Sequence, residues 1–219
     1  MAAICSQYPE FLQMILAAVD HPQDDTLWGM AVDTVGVLGS TLSGRKALEL
    51  YDSQTKAALK TLGGYIVDSS SELRIRVLCA VAMLLSCKEE NDSWEASKSQ
   101  EWFNTLQPNI LQTLISVLKQ PFKDLRTAGL KVLLSMAPWQ WAQREMHTQA
   151  GFLEYLLDRR TEPDKVGKEL KYEVVHAIVA SGTAEGVFGS ANYLKLRQYD
   201  REGPFFYTVE TTVALEGST

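Results

Sequence analysis

"KDLRTAGLKVLLSMA", residues 123–137, is the stretch that decides the fold. Leu125, Gly129, Val132 and Leu133 fall on one side of a helix of 3.6 residues per turn, with Asp124 and Arg126 flanking the first leucine. Variants of this pattern start at Leu27 ("LWGMAVDTVGVLGS"), Leu73 ("LRIRVLCAVAMLLS") and Leu170 ("LKYEVVHAIVAS"). Aligned on the first leucine, offsets 0, +4, +7 and +8 trace one stripe in all four. The fourth copy, for example, reads Leu170, Val174, Ala177 and Ile178. Offset +5 is apolar every time, as Val32, Leu78, Leu130 and Val175. A stripe this wide belongs to a helix packed on more than one neighbour.

The flanks repeat as well. Glu72, Asp124 and Glu169 precede the leucine, where an acid in the first turn suits the positive end of the helix dipole. Arg74, Arg126 and Lys171 follow it, whereas the first copy has Trp28 in that slot. An apolar helix is expected upstream of each copy, in "YPEFLQMILAAV", "SQTKAALKTLGGYIV", "PNILQTLISVLK" and "GFLEYLLDRR". Polar turns join the pairs: "DHPQDDT", "DSSSE", "QPFKD" and "TEPDKVGKE". Short extra helices are expected at "SGRKALELY" and "WQWAQREMHTQ", and "CKEENDSWEASKSQ" reads as a polar, acidic loop.

The first leucines are spaced by 46, 52 and 45 residues, close to the roughly 40–47 of HEAT and armadillo units. Such helix pairs bury their faces only by stacking. The expected fold is therefore all-α, an armadillo/HEAT-like α-solenoid of about four helical repeats, and the pattern does not choose between the two names. It occupies 1–202 as a single domain, with repeats at about 8–51, 52–86, 100–148 and 150–202, a mobile loop at about 87–99 and a C-terminal tail at 203–219.

Composition narrows the function classes. The chain is 219 residues, 46% hydrophobic and 22% charged, with a net charge of −6. That balance is typical of a globular protein and disfavours nucleic acid or an anionic membrane as the main partner. The apolar run "FLQMILAAV" follows Glu10, contains Gln13 and precedes the first basic residue, Arg45, so it reads as an amphipathic helix and not as a signal peptide. Cys5, Cys79 and Cys87 are odd in number and form no CxxC pair, which fits free thiols in the cytoplasm or nucleus.

No chemistry-bearing constellation is legible. Cys79 and His176 share offset +6 but belong to different copies, and His21 and His147 are scattered. No metal spacing occurs, and "GSTLSGRK" at 39–46 only superficially resembles a phosphate loop. No enzyme activity, cofactor or small-molecule substrate is expected. Candidate partner-binding residues are of two kinds. Arg74, Arg126 and Lys171 form either a basic ladder along one surface or ion pairs between neighbouring units. Phe205, Phe206 and Tyr207, after the helix break at Gly203–Pro204, either cap the last unit or bind a partner. Trp139 and Trp141, two residues apart, are either both core or one core and one exposed anchor.

"GMAVDTVGVLGSTLSGRKAL", "GFLEYLLDRRTEPDKVGKELKYEVVHAIVAS" and "NYLKLRQYDREGPFFYTVETTVALEG" closely resemble the C-terminal part of the proteasome non-ATPase regulatory subunit 5 family. The resemblance runs along nearly the whole chain. It implies a non-catalytic armadillo/HEAT-like chaperone that assembles the base of the 26S proteasome regulatory particle. The implied partners are an AAA ATPase subunit, held through its C-terminal domain, and other base subunits, with release before the particle is complete. Family proteins carry further repeats upstream, so this chain is expected to match a fragment, a short isoform or an incomplete gene product. The competing class is a general armadillo/HEAT adaptor for another protein. The four aligned helices carry none of the regularly spaced asparagines usual in peptide-holding grooves.

Overall fold

The computed structural model describes residues 9–86 and 93–206. Among them are twelve helices: α1 (Pro9–Asp20), α2 (Asp25–Gly39), α3 (Leu42–Leu50), α4 (Asp52–Val67), α5 (Ser71–Leu85), α6 (Ser93–Leu106), α7 (Ile110–Leu118), α8 (Lys123–Met136), α9 (Gln140–Thr148), α10 (Phe152–Leu157), α11 (Lys165–Ala180) and α12 (Ala184–Glu202), the last bent at Gly189. The four similar segments are α2, α5, α8 and α11. Their upstream helices are α1, α4, α7 and α10, and the two short extra helices are α3 and α9.

The similar helices lie side by side in chain order, α2 on α5, α5 on α8 and α8 on α11. A second layer runs alongside, with α1 against α4, α4 against α6 and α9 against α12. Two stacked layers of this kind make an all-α solenoid. The stripe read from sequence forms its core: offset +5 is fully buried in all four copies and offset +8 is buried in all four. Polar side chains open three of the four similar helices, α2, α5 and α11. Asp24, Ser70 and Asp164 accept from the backbone N–H of Leu27, Leu73 and Gly167 at 2.8, 3.4 and 3.0 Å.

Close approach between α2 and α5 depends on missing side chains. A Cβ on Gly36 would lie 2.9 Å from the Cα of Ala80, and one on Gly39 would strike Leu84.

Three expectations from the sequence need correction. Leu27 is 64% exposed, because Trp28, 1% exposed, takes the inward place at the start of α2. α11 begins at Lys165, a turn earlier than the repeat implies, so Glu169 is not in its first turn. Residues 93–99 are helical, where the polar pattern predicts part of a mobile loop. Their polar residues find partners inside the fold: Glu95, 1% exposed, pairs with Arg45 at 2.8 Å, and Ser99 Oγ accepts from the indole N–H of Trp141 at 3.1 Å. Polarity therefore mimics solvation there. Glu89, Glu90 and Asp92 lie outside the described residues.

Candidate interaction surface

The residue after the first leucine does the same work in all four copies. Trp28 Nε1 donates to Val19 O at 3.1 Å, Arg74 Nε to Ile66 O at 2.9 Å and Arg126 to Gln120 O at 3.1 Å, and Lys171 Nζ donates to Asp158 O. Each carbonyl lies close to the end of the upstream helix, where backbone acceptors lack intrahelical partners. The requirement is an N–H on a long side chain, which explains how an indole replaces a base in the first copy. Arg74 is half-buried, and Arg126 and Lys171 are buried. This row turns inward to the helix–helix turns, so it is not a surface ladder of positive charge.

Two buried polar groups missed in the sequence repeat a second pattern. Arg45 in α3 donates to Gly39 O at 2.7 Å and to Ser86 O. Gln143 in α9 donates to Ala137 O at 2.9 Å and to Ser181 Oγ at 2.8 Å. Each caps the helix before it and reaches the end of the next similar helix. Their only sequence signal is a polar residue 6 places beyond the carbonyl that it caps.

The most charged interior lies around the turn between α10 and α11. Arg126 pairs with Glu162 at 3.2 Å and Asp164 at 3.3 Å, so the expected pairing between neighbouring units is present at this position. Tyr155 Oη donates to Glu162 Oε1 at 3.0 Å, and Lys171 Nζ donates to Thr161 Oγ1 at 2.5 Å beneath the Tyr155 ring. Burial lowers the Lys171 pKa to about 8, only partly offset by Glu162 and Asp158. Burial and the Glu162 carboxylate hold the Tyr155 phenol well above its ordinary range. An amine of lowered pKa is a familiar nucleophile, but Lys171 is 1% exposed and bonded to its turn. Its chemistry is structural. Among the described residues, no group of three His, Cys, Asp or Glu side chains is placed to hold a metal ion.

Arg159 gathers the start of the tail. Its guanidinium donates to Gly203 O at 2.6 Å, Tyr199 O at 3.2 Å and Glu202 Oε2 at 3.0 Å. It also stacks 3.8 Å from the Tyr199 ring centroid and 5.4 Å from that of Phe206. Gly203 turns the chain at φ 79°, a conformation that favours glycine. The segment thus folds back onto the solenoid, yet Phe205 and Phe206 remain 46% and 40% exposed. Tyr207 lies outside the described residues.

Trp139 and Trp141 are both buried, the first donating to Leu85 O at 3.0 Å, so neither is an exposed anchor. The Cys79 thiol is free and half-buried, while His176 is exposed and engages Asp200 at 2.8 Å. Cys5 and Cys87 lie outside the described residues. No helix among the described residues is long and apolar enough to cross a membrane.

These features define a stacked-helix scaffold whose buried polar groups serve its own turns. The family model described as "Proteasome non-ATPase 26S subunit" matches residues 1–219, and the chain belongs to that family. It is 38% identical to the 26S proteasome non-ATPase regulatory subunit 5 of Homo sapiens over 216 residues. Identity is 37% over 215 residues to the same subunit of Bos taurus and 39% over 217 residues to that of Mus musculus. Each match takes in 98% of this chain but only 42–43% of the relative, so the chain spans less than half the length of these proteins. No solved structure gives a significant match.

Proposed function

We propose that this chain acts as a non-catalytic assembly chaperone for the base of the 26S proteasome. In this reading it binds an AAA ATPase subunit through that subunit's C-terminal domain, meets other base subunits, and leaves before the particle is complete. The observation that carries the reading is the family match along all 219 residues. A rigid two-layer solenoid suits the task, because a folded domain needs roughly 800 Å² of complementary surface per partner and stacked helices offer an extended one. The mechanism is exclusion: the chaperone occupies a surface that would otherwise engage early, and a competing subunit displaces it by mass action. Cytoplasm and nucleus are the compartments that this role implies. The solenoid domain is taken as 1–202, with repeats at about 8–51, 52–86, 100–148 and 150–202.

For contact residues the proposal places Phe205, Phe206 and Tyr207 against the partner; Phe205 and Phe206 stand half in water, and aromatic side chains so placed gain most from burial. Arg74 would contribute at the edge, while Arg126 and Lys171 act through the shape of the turns they hold.

Calorimetric titration of the chain against the isolated C-terminal domain of each proteasomal ATPase subunit tests this. Selective binding to one domain is expected, weakened about tenfold or more by Phe205→Ala/Phe206→Ala. A folded, monomeric chain that binds none of the domains overturns the reading for this chain.

A further inference from the structure

Within its layer α4 lies between α1 and α6, so the surface it shares with α6 is not an open end of the stack. The two helices are tightest at Gly63, where a Cβ would strike the backbone carbonyl of Leu106. Beside this contact runs a groove of about 680 Å³, at the far end of α6 from Ser93 and within the size range of ligand sites. One wall is the α4 line Lys56, Lys60 and Gly64, spaced i, i+4, i+8. The other holds Asn104, Thr105 and Pro108, from the end of α6 and the turn that follows it.

Packing does not explain the glycine at 64. Nothing lies within 4 Å of where its Cβ would stand, and a glycine weakens the helix that contains it. What it provides is bare backbone along the groove, open to close approach by another main chain.

The polar groups of the walls fall into two sets. Lys56 is held by Asp52 at 2.7 Å and Glu101 at 2.6 Å, Thr105 donates to Glu101 O at 2.7 Å, and Gln107 donates to Thr113 Oγ1 at 2.5 Å. Lys60 and Asn104, one on each wall, are exposed and have no side-chain partner among the described residues. An ammonium offers donors only and is complemented by a carboxylate, whereas a carboxamide offers both donors and an acceptor and so matches a peptide group. No carboxylate stands among the groove-lining residues, in a chain of net charge −6. A free anion would engage Lys60 but gain nothing from the Asn104 acceptor or from the bare helix at Gly64. A main chain bearing an acidic side chain uses all three.

We propose that the α4–α6 groove holds an extended segment of a partner protein that carries an aspartate or glutamate. The site is separate from the tail aromatics and does not rest on the ATPase reading.

Nuclear magnetic resonance of the full chain, labelled with ¹⁵N-glycine, tests it. The probe is a short blocked peptide of alternating alanine and glutamate, and its glutamine counterpart is the control. The acidic peptide is expected to shift the Gly64 amide signal saturably, and the control to bind about tenfold more weakly or less. Lys60→Gln should weaken the acidic peptide by a similar factor. Asn104→Ala should weaken it while leaving the preference for acid. Gly64→Leu should abolish binding, read by calorimetry, with a denaturant midpoint no lower than the parent's, because leucine is the better helix former. That variant separates a blocked groove from a damaged fold. Equal binding of the two peptides, or undiminished binding by Lys60→Gln or Gly64→Leu, overturns the proposal. So does the same saturable shift with inorganic phosphate, which would make a free anion the occupant.

Discussion

Lys171 is the residue whose burial should be most visible in solution. Its ammonium sits under Tyr155 and faces Glu162, Asp158 and Arg159, and burial lowers its pKa from 10.5 to about 8. Between these values the unfolded chain still holds the proton that the folded chain has released. The unfolded state then binds more protons, so stability rises with pH through this window and the cost of burying the charge is fully present below pH 8. A shift of this size corresponds to about 3 kcal/mol. Urea unfolding at pH 8 and pH 10 should show the parent gaining on Lys171→Met by up to that order, with the variant subtracting the titration of other groups. Equal pH slopes for the two proteins would mean that the amine is solvated in the folded chain. The sequence marks Lys171 as one member of a repeated basic position. It does not disclose that the position points inward, because a long cationic side chain on a helix flank is usually solvated.

Two kinds of glycine stand inside the helices, one pressed against a neighbour and one facing open space. Gly36 faces α5 so closely that a Cβ would press on the Cα of Ala80, an atom that cannot yield without moving the helix. Gly64, in α4, has nothing within 4 Å of the same built atom. Gly36→Ala should therefore destabilise the protein by about 1–3 kcal/mol through overpacking. Gly64→Ala should stabilise it by about 0.5–1 kcal/mol, because alanine loses less backbone entropy in a helix. Denaturant midpoints check both, and a loss of stability at Gly64 would show that α4 is not regular there. At this scale the sequence is most informative: the four similar helices, their upstream partners and the two short helices all lie close to where periodicity puts them. It is least so at α6, where Glu95, Ser99 and Trp102 face inward from a segment that reads largely as polar.

For the whole molecule, stability is distributed along the stack. α5 and α8 each have a similar helix on both sides, whereas α2 has one such neighbour among the described residues, as does α11. Solenoid stability is close to a sum of nearest-neighbour terms, so opening should start where a neighbour is missing. Amide hydrogen exchange should show slowest exchange in α5 and α8, with faster exchange in α1 and in α12 beyond its bend at Gly189. Uniform protection throughout would indicate one cooperative unit instead.

By itself the sequence determined that this chain is a stack of similar helices, since a recurring apolar stripe has no other way to leave water. It also carried the family, through long stretches of resemblance that the match to relatives along the chain bears out. Only the tertiary structure decided where polar side chains go. The pull that draws Arg126, Lys171, Arg45 and Gln143 inside comes from unpaired carbonyls at the ends of other helices. Those acceptors lie from 6 to 41 residues away, and the hydrophobic periodicity that reveals the helices does not report them.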